Sequence, residues 1–188
     1  LPAWYVAAVN FHPEMIPARL AWSISEAKLN VPFSTLFEVL IMLLAFEAVQ
    51  EAGLRLPGPI GQTASILGGL VVGSAAVEAA IVSPVVLIVV AIAGIAGYTV
   101  PSQEFSAALR IWRFLLVIGA SLGGLFAVTA LTAVLVGRLA QLESFGVPYL
   151  APFAPGQGKD GYGVLRWPTH RVKFREAILH TRNRRRQG

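Results

Sequence analysis

No cysteine occurs in the 188 residues. Disulfides, thiolate nucleophiles and Cys-based metal sites are therefore excluded. Charge is scarce as well. Asp, Glu, Lys and Arg make up 13% of the chain, against about 25% in a soluble domain. Acidic residues nearly vanish after residue 158, where Asp160 and Glu176 alone face nine Lys and Arg. Metal motifs are missing too. His12 and Glu14 stand two apart in FHPEMIP, but there is no HExxH and no third ligand at a recognisable spacing, so an interfacial loop is expected there and no metal. The start lacks a basic n-region and a small-residue cleavage site, and it is read as having no signal peptide. With Leu1 in place of methionine, the chain is read as a fragment or a processed product. No pair of catalytic groups converges, so neither an enzyme nor a cofactor is expected.

Apolar surface is abundant instead. The chain is 55% hydrophobic and its mean hydropathy is +0.66. These values predict membrane embedding. The expected fold is all-α, a polytopic α-helical membrane protein with about three full spans plus one interfacial or re-entrant helix.

Residues 1–11, LPAWYVAAVNF, read as the end of a preceding membrane span, with Trp4 and Tyr5 suited to an interface. Residues 12–59 read as a loop and an amphipathic helix. Within them, residues 34–52 are helical by pattern, but Glu47, Gln50 and Glu51 form a polar patch at i, i+3 and i+4. The clean apolar run before that patch is too short to span, which predicts an interfacial or re-entrant helix, or one packed inside an oligomer. Gly53 is a suitable C′ residue, and Pro57-Gly58-Pro59 enforces a turn. Residues 60–82 are the first full transmembrane helix, ended by Ser83-Pro84. Residues 85–100 form a short transmembrane or re-entrant helix of roughly 24 Å. Residues 114–137 form the last transmembrane helix, and residues 138–188 are a juxtamembrane strip and a basic cytoplasmic tail. The positive-inside tendency puts that tail in the cytoplasm, and three spans then put Arg110 and Arg113 on the outer side, against the tendency.

Two patterns within the spans carry the functional expectation. Gly61, Ser65, Gly69 and Gly73 recur every four residues, and Gly119 to Gly123 repeats the device. In lipid, helices associate through close approach across such small residues, so helix packing is expected there, within one subunit or between neighbours. Thr63, Leu67, Val71, Ser74 and Glu78 share a second face at helical spacing. This face has a dry middle at Leu67 and Val71 and polar groups toward both ends. It suits a pore with a hydrophobic constriction that gates by dewetting. The alternative is that Glu78 lies near the headgroups or pairs with an arginine such as Arg110.

Gly156-Gln157-Gly158-Lys159-Asp160-Gly161 matches GxGxxG formally, but no strand–helix unit surrounds it. The basic tail is expected to touch anionic lipid at about 1 kcal/mol per Lys or Arg, with no nucleic acid.

Four blocks carry a family resemblance: LPAWYVAAVNFHPEMIP (1–17), FEVLIMLLAFEAVQEAGLRLPGPIGQTASILGGLVVGSAAVEAAIVSP (37–84), YTVPS (98–102) and ESFGVPYLAPFAP (143–155). In order, they resemble the A subunit of GerA-type spore germination receptors, in its C-terminal membrane half. The resemblance implies a multi-pass protein of the spore inner membrane that forms a homo-oligomer. It also implies two partners, a transporter-like B subunit that senses the nutrient and a lipoprotein C subunit. The implied activity is a nutrient-gated ion channel that triggers germination. A non-conducting scaffold that docks partner subunits is the alternative. A small-molecule transporter is the third reading, and the lack of inverted repeats counts against it.

Overall fold

The computed structural model describes residues 1–55, 57–97, 99, 100, 102–150, 183 and 185, with the backbone alone for residues 54, 58, 59, 62–67 and 103. The chain divides into two compact units, Leu1–Leu131 and Thr132–Gly188.

Prolines set where the helices begin. The helix α1 covers Pro2–Phe11, and a 3-10 turn, Pro13–Met15, follows it. The second helix, α2, covers Ala18–Lys28 behind an extended Pro17. The third, α3, runs through Thr35–Arg55. Pro57 precedes α4, Gly58–Glu78, and Pro84 opens α5, Pro84–Gly97. A proline at the first turn loses no helical hydrogen bond, because that N–H has no partner in any case. The last helical segment, α6, covers Gln103–Gln141. The expected all-α architecture is matched in its mainly helical content.

In the first unit, α3 is the central element and packs on α1, α4 and α5. Val39, Met42 and Leu43 of α3 meet Tyr5 and Val6 of α1, Val86 and Val90 of α5, and Val117 and Ala120 of α6 in one buried cluster. Glycines permit the close approaches. A Cβ on Gly68 would lie 3.1 Å from Val49 of α3, and one on Gly94 would lie 2.2 Å from the ring of Phe46.

The helix α3 outruns its apolar segment. Its 21 residues give roughly 31 Å, about the thickness of a bilayer core. The polar patch at Glu47 and Glu51 does not end it, because partners from a distant part of the sequence receive both carboxylates. The helix α4 ends at Glu78, short of the expected residue 82. Ala80 there adopts a left-handed φ of 52°, while the N–H groups of Ile81 and Val82 both donate to the carbonyl of Ala76.

The span expected over residues 114–137 is not one straight helix. Gly123 (φ −137°, ψ 18°) and Gly124 (φ 59°, ψ −145°) interrupt α6. The second of these conformations is open essentially to glycine alone. The chain doubles back there, since a Cβ on Gly119 would lie 2.3 Å from Leu131, twelve positions on. By length and composition, Glu104–Gln141 is the one stretch among the described residues long and apolar enough to cross a membrane. The two glycines divide it into arms.

The second unit begins with the end of α6. A two-stranded antiparallel hairpin follows, β1 (Glu143–Ser144) with β2 (Val147–Pro148). Phe145 and Gly146 both have positive φ, 52° and 74°, the signature of a type I′ turn. Most of the basic tail, and the GxGxxG-like run with it, lies outside the described residues.

Candidate functional site

The face expected to line a pore lies on α4, which contacts its neighbours through two glycines. Gly68 sits against Val49 of α3, and Gly73 is buried with Leu87 of α5 2.9 Å from where its Cβ would be. These two contacts leave Leu70 and Val71 exposed, at 68% and 59%. Ser74 is exposed and returns its hydroxyl proton to the carbonyl of Val71 at 3.2 Å. Such a bond leaves the oxygen lone pairs of Ser74 facing outward. Glu78 is exposed at the end of α4, with no ion pair to it among the described residues. The side chains of Thr63, Ser65 and Leu67 lie outside the described residues. Val71, Ser74 and Glu78 thus occupy one exposed strip.

The small-residue stripe divides by role. Gly61 and Gly73 are buried, whereas Gly69 has nothing within 4 Å of a Cβ position. Contact with α3 runs through Gly68, which the four-residue spacing did not single out. Gly119 packs on Leu131 and Ala127 of its own chain, and Gly123 is part of the break in α6.

Arg110 does not pair with Glu78. It lies 3.2 Å from Glu47 and 3.8 Å from Glu51 of α3, and Arg113 lies 3.4 Å from Glu47. Glu51 also pairs with Arg55 at 3.0 Å. Charge in an apolar setting costs several kcal/mol unless paired. Here two carboxylates and three guanidinium groups offset one another at one end of the helix bundle. The clue in the sequence was the i, i+4 pair Glu47 and Glu51, read as a polar patch without its partners.

A second charged node lies at the other end of α3, and sequence reading missed it. Glu38 is completely buried. One carboxylate oxygen accepts the Ser83 N–H at 2.9 Å. The other lies 3.3 Å from Lys28 Nζ, and the same ammonium donates to Thr35 Oγ1. Glu38 thereby caps the N-terminus of α5 from a different helix, where a negative charge is favoured. The lone Glu38 within an apolar run was the available signal.

His12 and Glu14 form a local exposed pair at 3.2 Å. The Glu14 carboxyl is held below its ordinary value, first by its own backbone N–H and then by the His12 ring. Among the described residues no group of three or more metal-ligating side chains gathers.

Comparison with known proteins places this geometry in a family. Residues 1–183 match the model of the Bacillus/Clostridium GerA spore germination protein. An uncharacterized membrane protein, YfkQ, of Bacillus subtilis (strain 168) is 45% identical over 90% of this chain and 34% of its own length. Spore germination protein GerLA of Bacillus cereus is 41% identical over 97% of this chain and 37% of its own. Spore germination protein B1 of Bacillus subtilis (strain 168) is 43% identical over 93% and 36%. The chain thus spans about a third of the length of these relatives. No solved structure matches. At this breadth and identity, the chain belongs to the GerA spore germination protein family.

Proposed function

We propose that this chain is the membrane portion of a germinant receptor subunit, and that copies of it assemble around a gated ion pathway lined by α4. The observation that carries the reading is the exposed strip of Val71, Ser74 and Glu78 on a helix that packs on α3 through Gly68 and on α5 through Gly73. Isolated apolar exposure is ordinary in lipid. A strip that ends in a carboxylate with no ion pair among the described residues is costly there, and water relieves that cost. Val71, with Leu67, is the proposed constriction, and Thr63, Ser74 and Glu78 the polar lining.

Charge placement supports an orientation across the spore inner membrane. Arg55, Arg110 and Arg113 gather at the end of α3 that is remote from residues 12–34. The positive-inside tendency puts that end in the cytoplasm and residues 12–34 outside. The conflict that a three-span count creates for Arg110 and Arg113 then disappears. The basic tail favours the cytoplasm by its own composition, with anionic lipid as its surface. The partners in this reading are further copies of the chain, a transporter-like B subunit and a lipoprotein C subunit. The reading includes no enzymatic step.

Ion flux through the full-length receptor tests the proposal. Val71→Ala is expected to raise flux or make it independent of nutrient, and Val71→Phe to lower it. Glu78→Gln is expected to change cation preference at unchanged assembly. Flux that ignores all three substitutions, in a complex that still assembles, would instead support a non-conducting scaffold.

A further inference from the structure

The node around Glu38 joins more elements than a core carboxylate needs. We infer that Lys28 is a latch: it holds α2 on the bundle by neutralising Glu38, and so ties the position of α2 to the turn between α4 and α5.

The helix α2 has little else to hold it. Of its residues, Ile24 alone is buried, while Leu20 and Trp22 point outward. Lys28 is its last residue and reaches inward, with its side chain 22% exposed. There it meets Thr35 Oγ1 and the fully buried Glu38. The same carboxylate holds the Ser83 N–H, five residues after the end of α4. The hydroxyls of Tyr5 and Ser83 are buried beside this network.

If α2 lifts away, Glu38 loses the cation that its burial requires. A buried carboxylate without a counter-charge is strongly disfavoured, so the Ser83 contact and the start of α5 must rearrange. Displacement of an exposed helix thus becomes a change at the α4–α5 turn. This inference does not depend on α4 lining an ion pathway, and its test reads no flux.

Ile24→Cys in the full-length protein, with any cysteine outside these residues replaced, provides a thiol that is shielded while α2 is seated. Its rate of maleimide labelling reports opening of the latch. Lys28→Met is expected to raise that rate about tenfold or more, and Lys28→Arg to leave it within about twofold. Adding Glu38→Gln to Lys28→Met is expected to slow labelling again, because no buried charge is then left unpaired. Equal rates with Lys28 and with Met would overturn the latch, as would a double variant that labels as fast as Lys28→Met alone. If Lys28→Met does not accumulate, its recovery by Glu38→Gln supports the pairing, and no recovery overturns it.

Discussion

Ala80 holds a left-handed backbone, φ 52°, at the point where α4 stops. For an L-residue that conformation costs roughly 1–2 kcal/mol, and glycine is the usual occupant. Ala80→Gly relieves the strain but adds freedom to the unfolded chain, so the expected net gain is about 0.5–1 kcal/mol. A higher unfolding midpoint in detergent is the expected readout, and an unchanged or lower one refutes the strain. At this scale the sequence was readable where geometry is local. Pro84 marked the break before α5, whereas Pro57-Gly58-Pro59, read as a turn, already holds the first residues of α4. Ala80 was not readable, because nothing in VEAAIVSP distinguishes an alanine in a helix from one in its cap.

Among the elements, α6 shows most clearly how one motif serves two structures. Gly119 and Gly123 have the spacing of a helix-packing stripe, yet here, with Gly124, they form an elbow and let the chain fold back on itself. Periodicity alone does not separate the two outcomes, since both demand small residues on one side. Gly124→Ala separates them. Its backbone is outside the range of alanine, and the new Cβ would meet Phe11 at 3.1 Å and the His12 ring at 3.3 Å. The expected cost is about 2–3 kcal/mol, seen as a lower unfolding midpoint. A variant as stable as the parent would mean that the elbow is dispensable. The length of α3 was hidden for a related reason. Its carboxylates Glu47 and Glu51 find Arg110 and Arg113 about sixty positions away, and a window along the sequence sees the charges without their partners.

For the whole molecule, the exposed side of α4 is the feature that calls for a partner. The sequence could name the strip, because helical spacing fixes which residues share a face. It could not show which faces the chain itself would cover. Gly69 and Gly73 are identical in pattern, yet Gly73 packs on Leu87 and Gly69 meets open space. In the proposed assembly, Gly69 is where a neighbouring copy approaches. Gly69→Leu is expected to leave the unfolding midpoint nearly unchanged, within about 0.5 kcal/mol, but to reduce the particle to fewer copies by light scattering. An assembly that keeps its size removes Gly69 from the interface. Gly73→Leu, by contrast, is expected to destabilise each copy before assembly.

The end of α1 gives the elbow one more property. A methyl group at Gly124 would stand 3.1 Å from Phe11 and 3.3 Å from the His12 ring, tighter than ordinary contact, so both side chains would have to give way by a few tenths of an ångström. The end of α1 and the elbow of α6 thus share one tightly packed joint. A larger residue at position 124 would therefore disturb the C-terminal end of α1 as well as the elbow of α6.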